Sequence, residues 1–144
     1  MLKQPEIVWV NGPTGRLETI AIPAQTDTAV GVAVINHPNP TQGGTNTNKV
    51  IQTVAKSLSK QGYHCYLPNL RGVGNSDGVH DYGVGEVEDV LAVIAYAQAA
   101  HPEAPKLTVA GFSFGGYVSA NVAQRVDIDH LIFLAAAMMK YERH

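Results

Sequence analysis

The chain has 144 residues, a formal net charge of −2 and a hydrophobic content of 45%, values that exclude several classes of protein. Its length suits one ordinary domain, and its apolar content is enough to bury a core, so intrinsic disorder is not expected. Positive and negative charges nearly balance, and the sequence contains no run of basic residues, which argues against nucleic acid or an anionic membrane as a partner. No apolar stretch reaches the roughly 18 residues that a membrane span needs.

The N-terminus and the cysteine content predict a cytoplasmic protein. Residues 1–6 lack the long apolar core of a secretory signal peptide. The single cysteine, Cys65, excludes an internal disulfide bond and fits a reducing compartment. Because Cys65 falls within a predicted buried strand, we interpret it as a core residue rather than a nucleophile.

Strand and helix patterns alternate along most of the chain. Two strands joined by a turn come first, and they have no helix between them. Four further strands follow, with helical patterns between them. The predicted strands cover residues 6–10, 17–22, 30–36, 63–67, 107–110 and 130–135, and the predicted helices cover residues 46–61, 86–100 and 117–124.

This alternation predicts an α/β fold, a three-layer αβα sandwich around a mostly parallel sheet of about six strands with an antiparallel N-terminal edge. No internal repeat, low-complexity tract or linker interrupts the pattern, so residues 1–144 are expected to form a single domain. Ligands of such sheets bind at the carboxyl ends of the strands. The loops after Asn36, Leu67 and Ala110 are therefore the candidates for a functional site.

The loop after Ala110 contains the motif Gly-x-Ser-x-Gly at residues 111–115, with Ser113 at its centre. An abrupt turn from strand to helix strains the backbone of the serine, and it leaves room only for small residues two places before and after. The turn exposes the hydroxyl at a helix N-terminus, whose dipole favours a developing oxyanion. Ser113 is therefore predicted to be a nucleophile, and the alternative is a glycine-rich turn with an idle serine.

The loop after Asn36 supplies a candidate oxyanion hole. Pro38 and Pro40 have no N–H group, so Asn39 between them is the backbone donor near the strand end. Together with the N–H of Phe114, directly after the nucleophile, the Asn39 N–H is predicted to bind the oxyanion. The alternative is a proline-rigidified turn that only guides the chain.

The glycine-rich loop after Leu67, residues 71–78, is a poor phosphate cradle. Asp77 stands where a dinucleotide fingerprint needs its last glycine, and the predicted helix begins later. We therefore interpret the loop as structural and predict no cofactor. Arg71 is expected to pair with a carboxylate, either Asp89 or Glu86, rather than with substrate.

Three loops and the segments beside them carry a family resemblance, at residues 37–40, 43–45, 48–50, 69–76, 83–89 and 111–115. Together these segments resemble the α/β-hydrolase superfamily, and more narrowly small lid-less bacterial hydrolases of the dienelactone-hydrolase-like or acyl-esterase type. The resemblance implies that Ser113 attacks a small-molecule ester, thioester or related acyl substrate. These relatives usually read His-Pro-His-Pro after the strand, and Asn39 replaces their second histidine, which leaves a backbone donor in place.

The resemblance also implies a catalytic acid and a histidine base on later strands, since the superfamily orders its triad as Ser, then Asp or Glu, then His. The chain stops at His144, so no triad histidine or aspartate is identified and a C-terminal truncation is expected. His37 lies at the active end of its strand, but the resemblance implies that it shapes the loop. His80 lies in an active-face loop and His144 could reach that face, but a base also needs hydrogen-bond reach and an orienting partner. No metal site is predicted, because the histidines lack ligand spacing. The six are His37, His64, His80, His101, His130 and His144.

Two classes of function follow from this sequence. The first is a serine hydrolase that acts on an acyl substrate through Ser113. The second is an incomplete, non-catalytic hydrolase-like domain that serves binding or assembly. A sheet that ends at its sixth strand leaves a bare edge, and such an edge predicts a homo-oligomer.

Overall fold

The computed structural model describes residues 3–135. Six strands form one sheet, and three helices and one short 3-10 turn connect them. The strands are β1 (Glu6–Gly12), β2 (Gly15–Ile22), β3 (Gly31–Asn36), β4 (Tyr63–Pro68), β5 (Lys106–Phe112) and β6 (His130–Leu134). The helices are α1 (Lys49–Lys60), α2 (Gly85–Ala100) and α3 (Phe114–Ala123), and the 3-10 turn is Pro40–Gln42.

The sheet has the strand order β1-β2-β4-β3-β5-β6. The hairpin of β1 and β2 joins β4 antiparallel, whereas β4, β3, β5 and β6 run parallel. This confirms the predicted mostly parallel sheet with an antiparallel N-terminal edge. Because β3, β4 and β5 are parallel, the loops after Asn36, Pro68 and Phe112 lie at the same edge of the sheet.

Helices cover both faces of the sheet, as predicted. Helix α1 packs on the face that carries Ala33 and Ile35, and helices α2 and α3 pack on the face that carries Val32 and Val34. All six residues of β3 are consequently buried, which explains why its sequence is continuously apolar rather than alternating. The predicted single domain over residues 1–144 stays a prediction. Within residues 3–135, no helix combines the length and the apolar character that crossing a membrane would require.

Helix boundaries differ from the predicted ones for identifiable reasons. Helix α1 begins at Lys49 rather than residue 46, because the Asn48 side chain caps it by accepting from the N–H groups of Val50 and Ile51. Helix α3 begins at Phe114 rather than at Tyr117. Its first turn contains two glycines, which disfavour a helix by propensity, so the sequence pattern placed the start one turn too late.

Candidate active site

Ser113 occupies the sharp turn between β5 and α3. Its backbone has φ 56° and ψ −112°, in the left-handed region that non-glycine residues rarely adopt. Its carbonyl accepts hydrogen bonds from the N–H groups of Gly116 (2.9 Å) and Tyr117 (3.1 Å). The side chain is exposed, and its hydroxyl makes no hydrogen bond to any residue from 3 to 135. The turn therefore presents an exposed hydroxyl at the N-terminus of α3.

The two glycines of the motif lie where the backbone approaches itself most closely. A Cβ on Gly111 would collide with the Gly115 carbonyl, and a Cβ on Gly115 would collide with the carbonyls of Asn36 and His37. Only glycine fits at either position. The glycines thus allow α3 to start directly against the end of β3, and this holds Ser113 beside the loop that follows Asn36.

Two buried polar side chains, those of Ser119 and Asn36, support the turn at Ser113 from within the protein. Neither was singled out from the sequence. Ser119 is fully buried and donates to the Gly115 carbonyl at 2.7 Å. Its hydroxyl also accepts from the Asn36 side-chain amide at 2.9 Å. A polar residue at the end of a buried strand is the one signal that could have pointed to Asn36, whereas nothing in the local pattern distinguishes Ser119.

Asn39 begins the short 3-10 turn after β3. Its side-chain oxygen accepts from the Thr41 N–H at 3.0 Å, and its carbonyl accepts from the Gly44 N–H at 2.9 Å. No hydrogen bond to residues 3–135 uses the N–H of Asn39 or that of Phe114 as a donor. Both N–H groups named by the sequence analysis are therefore unused at the same edge of the sheet.

His37 fixes the loop that carries Asn39. The ring is fully buried, with Nδ1 2.8 Å from the Pro38 carbonyl and Nε2 accepting from the Leu70 N–H at 3.1 Å. This pattern requires the neutral tautomer with the proton on Nδ1. Burial lowers the pKa of His37, so protonation does not disturb the pattern near neutral pH. Both nitrogens are occupied, so His37 shapes the loop and is not available as a base.

Comparison with known proteins decides the family. Residues 34–142 match a family model described as the alpha/beta hydrolase fold. The chain belongs to the α/β-hydrolase family. A crystal structure of an α/β serine hydrolase without lid from Xanthomonas campestris is similar, with a TM-score of 0.84, 35% identity and coverage of 92% of this chain and 62% of that one.

Two further relatives agree with that assignment. An α-β serine hydrolase homologue from Coxiella burnetii has a TM-score of 0.83 and 38% identity, covering 92% of this chain and 62% of that chain. An uncharacterized protein of Rickettsia prowazekii is 36% identical over 129 residues, which are 89% of this chain and 54% of the relative. The α/β-hydrolase chain thus spans less than two thirds of the length of these relatives, between 54% and 62%.

The glycine-rich loop of this α/β-hydrolase chain is held by Glu18 of β2 and by a hydrogen bond within its own backbone. Glu18 accepts hydrogen bonds from the Asn69 side chain and from the backbone and side chain of Asn75. The Gly72 N–H donates to the Asp77 carbonyl at 3.2 Å. The backbone N–H groups of Gly72 and Asn75 therefore bind acceptors of the chain itself and are not free for a phosphate.

Arg71 pairs with Asp89, one of the two predicted carboxylates. The guanidinium donates to both carboxylate oxygens, from Nη2 at 2.8 Å and from Nε at 3.0 Å. Asp89 is fully buried and Arg71 is 8% exposed. The bidentate bond to Asp89 raises the pKa of Arg71, so the guanidinium stays charged, and its bonds to Asp89 anchor the loop to α2.

Glu86, the other predicted partner, faces His80 instead. The Glu86 carboxylate is buried and accepts from the N–H groups of Asp81 (2.8 Å) and Gly83 (3.0 Å). The Nδ1 atom of His80 lies 3.2 Å from Glu86 Oε2. Glu86 is therefore the carboxylate beside His80, a proximity that the sequence does not reveal. His144 lies outside the described residues.

At the opposite edge of the sheet, His64, His101 and Glu103 come together with their donor atoms within 4.8 Å of one another. The two imidazole rings stack at 3.7 Å with an interplanar angle of 11°, so their in-plane lone pairs run parallel instead of converging. His64 Nδ1 also accepts from the Ala24 N–H, which leaves the proton on Nε2, the nitrogen that faces Glu103. This geometry does not suit a metal ion.

Cys65 lies in the core, as the sequence analysis interpreted it. It is fully buried, and its thiol donates to the Ala55 carbonyl at 3.4 Å. Burial raises the pKa of Cys65 to about 12. A thiol that stays protonated at neutral pH is not a nucleophile.

Proposed function

We propose that this chain is a serine hydrolase domain in which Ser113 attacks the carbonyl carbon of an ester, thioester or related acyl compound. One observation supports the proposal above all: the Ser113 backbone is held at φ 56° with its side chain exposed. Strained backbone persists where the surrounding structure enforces it and is typical of active sites. Here Gly111, Gly115 and Ser119 enforce it.

The proposed chemistry needs stabilisation of the negative charge that develops on the substrate oxygen. The N–H groups of Asn39 and Phe114 are unused within residues 3–135, and each follows the carboxyl end of a parallel strand, β3 and β5. The N-terminus of α3 adds a favourable dipole. The likeness to two proteins described as serine hydrolases or homologues of them supports the same reaction class.

A fluorophosphonate probe tests the proposal. The probe reacts with an activated serine, so we expect a mass increase on the peptide that contains Ser113 and none after Ser113→Ala. Ser57→Ala is the matched control, because Ser57 is also exposed but lies on α1, and it should label like the parent chain. A folded parent chain that takes up no probe at Ser113 would contradict the proposal.

A second function, assembly through the sheet edge, is favoured by β6. Within the described part of the chain, β6 pairs on one side only, with β5. Phe133 in this strand is 57% exposed. Unpaired strand edges with apolar side chains pair readily with another chain, so a second copy of this chain is the partner that we propose.

Light scattering measures that assembly. We expect the parent chain to have the mass of a dimer or larger oligomer, and Phe133→Lys to shift it toward the monomer, because a lysine on an edge strand opposes pairing. Val79→Lys also replaces an exposed apolar residue with lysine, but in a loop, and it should leave the mass unchanged. A monomeric parent chain at all concentrations would refute the edge-pairing function.

A further inference from the structure

A groove lies between helix α1 and the hairpin of β1 and β2. It consists of two adjoining hollows of about 280 and 340 Å³, which share Pro5, Ile22 and Lys56. One end of it is bordered by Lys60, the last residue of α1, which leads into β4. This end therefore lies at the amino ends of the parallel strands, opposite to the edge that carries Ser113, and the groove is separate from the candidate active site.

One half of the groove has an apolar floor. Side chains alternate along β1, so Val8 and Val10 face the core beneath α2, whereas Ile7 faces the side of α1. The register places Ile7 opposite Ile20, and both Ile20 and Ile22 pack against the core beneath α1. Helix α1 packs mainly on β4 and β3, so Ile7 at the margin of the sheet stays 50% exposed. Ile7, Ile20 and Ile22 form the isoleucine floor.

The other half of the groove is bordered by three exposed lysines, Lys3, Lys56 and Lys60, which form the lysine end. No carboxylate of residues 3–135 pairs with any of their ammonium groups. The Ser59 hydroxyl at the same end already donates to the Pro23 carbonyl at 2.7 Å. The lysines are thus the charged groups that are left to hold a ligand, and they select an anion.

The positive charge of this groove is a local property. The chain as a whole has a net charge of −2, but α1 carries three lysines and no acidic residue. Glu6 also borders the groove, but alternation along β1 places its side chain on the face of Val8, away from Ile7. A ligand in the groove therefore meets apolar surface along one half and positive charge at the other.

We propose that this groove binds a free fatty carboxylate, with its alkyl chain on the isoleucine floor and its carboxylate at the lysine end. An apolar trough that ends in unpaired cations matches a molecule with one alkyl chain and one anionic head. Lysine holds such a head as a point charge, and the apolar surface that the chain covers supplies most of the affinity. The site does not depend on the reactivity of Ser113.

Isothermal titration calorimetry of the chain with decanoate tests this inference. We expect saturable binding of decanoate. We expect none of acetate, which lacks the chain, or of decyltrimethylammonium, which reverses the charge of the head. Lys56→Glu should weaken decanoate binding by about tenfold or more, because it places a like charge beside the carboxylate. Lys106→Glu is the matched control, because Lys106 is also exposed but lies on β5, which two strands separate from β2, and it should leave the affinity unchanged.

Ile7→Ser tests the isoleucine floor. The Ile7 side chain is half exposed, so the variant should fold, and the lost apolar surface should weaken decanoate binding by about fivefold. Val50→Ser removes a similarly exposed aliphatic side chain from α1 outside the groove and should bind decanoate like the parent chain. Circular dichroism confirms that each variant is folded.

Several outcomes would overturn the inference. The first is a folded parent chain that shows no saturable binding of decanoate. Equal affinities of Lys56→Glu and Lys106→Glu would place the ligand elsewhere, and equal affinities for decanoate and decyltrimethylammonium would show that the lysines select no charge. Binding to phosphatidylserine vesicles without binding of free decanoate would assign this face to a membrane instead. Labelling of Ser113 enters none of these measurements, so this inference and the serine hydrolase proposal fail independently.

Discussion

Replacing Asp89 with alanine is expected to lower the free energy of unfolding by about 3–5 kcal/mol. The carboxylate is fully buried and receives three hydrogen bonds from Arg71, from its backbone N–H, Nε and Nη2. Removing it leaves a guanidinium that is only 10% exposed at the side chain with the Gly85 carbonyl as its remaining partner. A buried charge without a partner destabilises the folded state by more than the intact ion pair stabilises it. The expected decrease in the free energy of unfolding is therefore large.

The neighbouring Glu88 provides a matched control. It lies on the same helix and pairs with Arg125 at 2.9 Å, but both side chains are about half exposed, at 48% and 52%. Solvent screens such a pair, so Glu88→Ala should cost less than about 1 kcal/mol. Urea unfolding followed by circular dichroism measures both values. If both variants lowered the free energy of unfolding equally, Arg71 would have to be solvated or bound to another acceptor after Asp89 is removed.

Replacing Gly115 with alanine is expected to destabilise the chain by about 3 kcal/mol or more and to abolish labelling of Ser113. The added Cβ would lie 2.6 Å from both the Asn36 carbonyl carbon and the His37 oxygen. These are backbone atoms, which cannot rotate away as a flexible side chain would. The helix must therefore separate from the end of β3, and the turn that exposes Ser113 is lost.

Gly116→Ala is the control within the same motif. Among residues 3–135, the atoms nearest to a Cβ there are the Gly111 carbonyl oxygen and the Phe133 ring, each at 3.3 Å. Alanine is the better helix former by about 1 kcal/mol, which offsets the tighter contact. We expect the stability and the labelling rate to stay near those of the parent chain, measured by the same unfolding and mass assays. A Gly115→Ala variant that matches Gly116→Ala would contradict the close approach of α3 to β3.

The elements of the fold could be predicted because local pattern determines them. Apolar runs such as residues 30–36 and 63–67 predict buried strands wherever helices cover both faces, and the structure has β3 and β4 there. Boundaries were less predictable where side chains or strained backbone decide them. Helix α1 begins three residues after its predicted start, because the side chain of Asn48 caps it. Helix α3 begins three residues before its predicted start, because the turn with positive φ lies at Ser113.

The candidate site was predictable only where a motif carries its own geometry. Gly-x-Ser-x-Gly implies a turn with an exposed serine because no other residue types fit that bend, so Ser113 and Phe114 follow from the sequence. The proline spacing likewise singles out the Asn39 N–H. Asn36 and Ser119 meet across 83 positions of the chain, and no local pattern links residues so far apart.

The sequence alone therefore determined the class of fold, the strained turn at Ser113 and the family, since periodicity and glycine spacing act within a few residues. The tertiary structure alone decided which polar groups meet. It paired Arg71 with Asp89 rather than with Glu86. It engaged both ring nitrogens of His37 in hydrogen bonds to the backbone, and it placed the Glu86 carboxylate beside His80. Such pairings depend on how the loops of neighbouring parallel strands meet at one edge, and that contact between distant segments exists only once the sheet has formed.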